Sequence, residues 1–141
     1  MILKKMIILA ILLNLCAVGA ADLQEHDFDG DFKMDVPYGT DFEKTSSFFG
    51  LDIGPTKVYQ DFKNDINISY ISVSDDEKYF NEMIETIENE PNVNMTKEDE
   101  LYLITTEKYN IVLFEKNHKI FAISAGDLAF DSMKHMAKST K

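Results

Sequence analysis

The sequence predicts an α+β domain on a mostly antiparallel sheet, in the order β-β-β-α-β-β-β-α, with the helices packed on the sheet. Three observations predict it. Several short runs place apolar residues at every second position, the period of a half-buried strand. Two later stretches change to helical spacing, one around Phe80 and one around Met133. Short polar turns such as Lys63 to Asp65 and Asn117-His118 join neighbouring runs, which makes them hairpins.

Taken in order, the first segment is not part of the fold. Lys4 and Lys5 precede an apolar run from Met6 to Leu15 broken only by Asn14, and Val18, Gly19, Ala20 and Ala21 follow. A charged start, an apolar middle and a small-residue exit make a secretory signal peptide over residues 1–20, with cleavage expected after Ala20 or Ala21. The apolar stretch falls short of the roughly 20 residues that a spanning helix needs, so no membrane insertion is expected once the leader is cut. Retention as an anchor and lipidation at Cys16 are the alternatives. A lipoprotein signal wants a small residue before the cysteine, and Leu15 is large. Cys16 is the only cysteine, so the exported part has no disulfide and no nucleophilic thiol. The expected location is outside the cell or on the outer face of its membrane.

Residues 21–30 read as an acidic N-terminal segment and residues 31–141 as a single domain. Phe32, Met34 and Val36 alternate with Lys33 and Asp35 in the first strand, from about Asp31 to Val36, and Pro37-Tyr38-Gly39 ends it. From Thr40 to Pro55 the phenylalanines 42, 48 and 49, with Leu51 and Ile53, follow no clean period. They are expected to fill the core rather than form a docking lip. Thr56 to Phe62 and Ile66 to Val73 form a hairpin, with Ile66, Ile68 and Tyr70 on one face.

Ser74-Asp75-Asp76-Glu77 reads as a capping box, the serine hydroxyl accepting a free N–H while Glu77 reaches back. The helix that follows carries Tyr79, Phe80, Met83, Ile84 and Ile87 on one face and stops before Pro91. After a polar stretch, Leu101 to Glu107, Asn110 to Lys116 and Lys119 to Ala125 form a meander. Asp127 is the expected cap of a last helix bearing Ala129, Phe130, Met133, Met136 and Ala137.

An opening strand of the form F-x-M-x-V-P-x-G, here FKMDVPYG, followed by a hairpin, a helix, a three-stranded meander and a C-terminal helix, resembles the PsbP-like α/β sandwich family. That family includes small bacterial envelope relatives of the DcrB type. The resemblance covers nearly all of the exported part in element order. It implies a non-catalytic exported or assembly-associated protein and carries no catalytic motif onto this chain.

Charge narrows the partners. The chain has 14 basic residues, all lysine, against 25 acids, a net charge of −11 that becomes two units more negative without Lys4 and Lys5. Such a surface repels phosphate backbones, and without arginine it lacks the bidentate reader of guanine, so nucleic acid is not an expected partner. Anionic lipid is disfavoured for the same reason. An envelope or extracellular protein is the expected partner class.

The candidate sites are few. Asp27, Asp29 and Asp31 alternate in DFDGDF, and in a strand all three would face one way, as hard oxygen ligands for calcium. The EF-hand pattern fails, because Gly30 is fourth and Tyr38 twelfth where a glycine is needed sixth and a glutamate twelfth. A solvated lead-in whose like charges discourage edge pairing is the expected reading. His26, His118 and His135 share no metal-ligand spacing. Met83, Met133 and Met136 read as core. Asn67-Ile68-Ser69 and Asn94-Met95-Thr96 are glycosylation sequons. Asn94 lies in an accessible stretch, and Asn67 could serve only if its side chain faces solvent. No catalytic, cofactor or metal residue is assigned, and no cofactor is expected. The leading expectation is an exported, non-catalytic binding or assembly factor at the cell envelope. The alternatives are a secreted hydrolase using unrecognised carboxylates and a calcium-stabilised surface module.

Overall fold

The computed structural model describes residues 22–45 and 56–141. The leader, Cys16 and the phenylalanine-rich stretch with Phe48, Phe49, Leu51 and Ile53 lie outside the described residues.

Nine strands and two helices follow one another: β1 (Leu23–Phe28), β2 (Phe32–Pro37), β3 (Glu43–Thr45), β4 (Lys57–Asp61), β5 (Ile66–Ser72), α1 (Asp76–Glu88), β6 (Asn94–Glu98), β7 (Leu101–Thr105), β8 (Asn110–Lys116), β9 (Lys119–Ala125) and α2 (Phe130–Ser139). Every element read from the sequence is present in its expected order. Three further strands, β1, β3 and β6, join them. Seven strands form one sheet in the order β3-β4-β5-β9-β8-β7-β6, and β1 and β2 form a separate hairpin. Every pairing is antiparallel.

The sheet has apolar residues on both faces, which is why the molecule has three layers. On one face Ile66, Ile68, Tyr70, Phe121 and Ile123 pack with Met34 and Val36 of the β1–β2 hairpin and with Met133 and Met136 of α2. On the other, Ile71, Leu113 and Ile120 pack with Phe80 and Ile84 of α1. Aromatic cross-strand pairing adds to the larger core: Phe114 stacks on Phe121 with ring centroids 5.1 Å apart, and Phe121 meets Phe32 edge-on at 5.0 Å. The C-terminus closes over β2, where Lys141 and Lys33 exchange two backbone hydrogen bonds and Ser139 Oγ accepts from Asp35 N at 2.8 Å.

Four local expectations are corrected. DFDGDF is a hairpin turn rather than a solvated lead-in: Asp29 and Gly30 have φ of 57° and 78°, the pair of left-handed residues that joins twisted strands tightly. Leu23–Phe28 is thereby a paired strand. The cap of α1 is Asp75, not Ser74, its carboxylate accepting from Lys78 N at 3.4 Å. Asp127 does not cap α2, whose N-cap is Ala129 without a side-chain bond. Tyr79, placed on the buried face of α1, is 41% exposed.

Candidate functional site

The three aspartates of DFDGDF do not converge. Asp27 Oδ1 accepts from Gly30 N at 2.8 Å and so closes the turn. Asp29 accepts from the Tyr59 hydroxyl at 3.1 Å, and Asp31 accepts from Lys57 Nζ and the Tyr70 hydroxyl, both at 2.8 Å. Lys57 and then Tyr70 hold the Asp31 carboxyl below its usual range. Burial, followed by Asp29, pushes the Tyr59 phenol up. These bonds fasten the hairpin tip to β4 and β5. Among the described residues no group of three or more His, Cys, Asp or Glu side chains is placed to hold a metal ion.

The histidines lie apart. His26 packs edge-on to Phe28 at 4.5 Å, His118 Nδ1 lies 3.5 Å from Asp76, and His135 Nε2 lies 3.5 Å from Asp35. Met133 and Met136 are fully buried. Asn67 is 3% exposed and directly paired with Ser124 across the sheet, so its sequon is closed in the folded chain, whereas Asn94 is exposed on β6.

Two carboxyls do meet, at the start of α1. Burial and then Asp76 push the Glu115 carboxyl up. Burial also raises Asp76, but hydrogen bonds from Glu115 and His118 outweigh it and leave Asp76 low. Each carboxyl shifts the other, and Glu115 is the one that keeps its proton to higher pH. Neither side chain lines the cavity of about 250 Å³ between α1 and the sheet, whose walls include Ile71, Met83, Leu113 and Ile120. Asp76 opens α1 and Glu115 lies on β8, so their contact joins helix to sheet. The groove along α2 is also committed, since Lys134 bonds Glu98 at 3.0 Å and Lys138 lies 3.2 Å from Asp99.

The end of the molecule where β4 turns into β5 is built differently. There the expected order of polar and apolar residues is reversed: Asp61 is 2% exposed and its neighbour Phe62 is 64% exposed. The buried carboxylate accepts from Asp41 N at 3.0 Å, Asn64 N at 3.0 Å and Asn64 Nδ2 at 2.7 Å. Burial alone would raise Asp61, but these bonds, with one from Lys63 N, outweigh it and hold the carboxyl below its usual range. Asp61 thus clasps its own turn to the loop after β2.

That loop carries the second exposed aromatic, Tyr38, at 63%. Tyr38 N donates to Asp22 O at 3.0 Å, Thr40 Oγ1 donates to Pro37 O at 2.7 Å, and Asn64 Nδ2 also reaches Gly39 O at 3.5 Å. Gly39 has a φ of 80°, which a glycine adopts without strain. Two adjoining, internally bonded turns therefore hold Tyr38 and Phe62 in solvent. Asp22, Asp41 and Asp65 are exposed around them, and Gly126, bonded through its N–H to Asp65 O, leads to exposed Asp127. The sequence placed Tyr38 in the turn after a strand and Phe62 at a strand's end, and did not single out Asp61. The available signal was DFKND itself, an acid at an inward strand position followed by a large apolar residue at a turn.

No family model matches the chain, and no curated protein matches it. Among solved structures it is similar to the solution structure of cyanobacterial PsbP (CyanoP) from Synechocystis, with 17% identity and a TM-score of 0.39, covering 88% of this chain and 94% of that one. Among the described residues no helix is long and apolar enough to cross a membrane.

Proposed function

We propose that the protein is an exported, non-catalytic binding or assembly domain at the cell envelope, working through the end that presents Tyr38 and Phe62. The signal-peptide pattern of residues 1–20 supports export, and the acidity of the chain supports a protein partner over nucleic acid or anionic lipid. The observation that carries the reading is the reversal at Asp61-Phe62. Burying the Asp61 carboxylate secures the turn, but the phenylalanine left in water beside it adds nothing to that bond network. Aromatic side chains held rigidly at a surface lose little freedom on binding and serve as anchors of protein interfaces.

A photo-crosslinking side chain in place of Phe62, beside one in place of Glu88 on the exposed face of α1, tests this in the producing cells. The reading expects a discrete adduct from position 62 that position 88 does not give, on a chain whose mass shows the leader removed. The same adducts from both positions, or none from either, would contradict it.

A further inference from the structure

We infer that the partner surface received by this end is a basic segment, with a lysine or arginine side chain seated against Tyr38 and Phe62; the inference rests on the binding reading above. Charge complementarity carries it. Asp22, Asp41, Asp65 and Asp127 are exposed around the two aromatics, and Lys63 is the cation within the turn that bears Phe62. A cation over an aromatic face is attracted by the ring quadrupole, and the chain already uses that contact elsewhere, with Lys97 5.3 Å above the Tyr102 ring. An acidic partner would meet Asp22, Asp41, Asp65 and Asp127 against the single charge of Lys63, and a purely apolar one would cover aspartates without pairing them.

Among the described residues none of the four rim aspartates is held by a lysine, a state that exposed acids such as Glu82, Glu85 and Glu88 on α1 share, and what sets the rim apart is the pair of aromatics it surrounds. Asp31 is engaged by Lys57, Glu98 by Lys134, Asp99 by Lys138 and Glu25 by Lys141. Asp61 is occupied in holding the scaffold, so the surface offered is preorganised and its charge is not spent on its own lysines.

The test is nuclear magnetic resonance titration of the exported protein with a short arginine-glycine peptide and with its glutamine-glycine counterpart. The expected result is a set of amide shifts confined to residues 37–41, 61–65 and 126–127, given by the arginine peptide alone and weakened by salt. The Tyr38→Ser and Phe62→Ser double variant should weaken that binding at least tenfold, and Asp41→Asn with Asp65→Asn should reduce its salt dependence. Equal shifts at this end from the glutamine peptide would overturn the basic-partner inference and leave the docking end standing. Arginine-peptide shifts spread over all acidic faces and indifferent to the aromatic substitutions would overturn it, as would the absence of shifts. Failure of the broader reading is distinguished by the crosslink at position 62, which presumes no partner charge.

Discussion

Asp61 and Phe62 show how one residue's place is set by bonds and its neighbour's by exposure. The Asp61 carboxylate satisfies the backbone N–H groups of Asp41, Lys63 and Asn64 and the Asn64 amide, and hydrogen bonds to a charged group are worth about 2 kcal/mol when their partners would otherwise be left unpaired. Asp61→Ala should therefore lower the unfolding free energy by about 2 kcal/mol at neutral pH, read from urea denaturation. Its folded pKa lies below the ordinary 3.8, so the stabilisation is complete above that value and is lost as pH falls through the folded one. The gap between parent and variant should accordingly close in acid. An undiminished gap there would show that the carboxylate charge is not what holds the turn. In the sequence, Lys63 to Asp65 was legible as a turn from composition alone. The role of Asp61 was not, because its main partner on the neighbouring loop, Asp41, lies twenty residues away. For Asn67 the sequence left the facing of the side chain open, and the neighbouring strands on both sides bury it.

At the scale of elements, alternation and helical spacing located six of the nine strands and both helices, since those patterns follow directly from which face is buried. The elements missed were those whose pattern was masked by charge or brevity. β1 and β2 meet at Asp29-Gly30, a strong hairpin signal, but the surrounding aspartates read as a charge run. β6 has only Met95 turned partly inward, and pairing with β7 makes it a strand despite Asn, Thr, Lys and Glu. The joint at the start of α1 gives a prediction of opposite sign to Asp61. Glu115 is raised above 4.5, so the stability its proton contributes is present below that value and is lost as pH rises through the folded pKa. Glu115→Gln, which keeps a donor facing Asp76, should raise the thermal midpoint at neutral pH and leave it unchanged below about pH 4.5. A variant less stable than the parent at neutral pH would mean that the carboxylate, not the acid, completes the joint.

Across the whole molecule, the three layers account for nearly all large apolar side chains among the described residues, and Tyr38, Phe62 and Tyr79 are the exceptions. Tyr79 borders the cavity under α1, whereas Tyr38 and Phe62 share one end with an acidic rim. The layered fold was readable from the sequence because burial imposes a period on it. The end that exposes Tyr38 and Phe62 was not, because an exposed phenylalanine and a buried one are the same letter. The central claim is that Phe62 is outside for a partner and not for the fold, and thermal unfolding of Phe62→Ser tests it most directly. The claim predicts a change within about 0.5 kcal/mol, the range of surface substitutions free of structural contacts. A loss of about 2 kcal/mol or more, the scale of a large side chain removed from packing, would place Phe62 in the fold's own stability and contradict the claim.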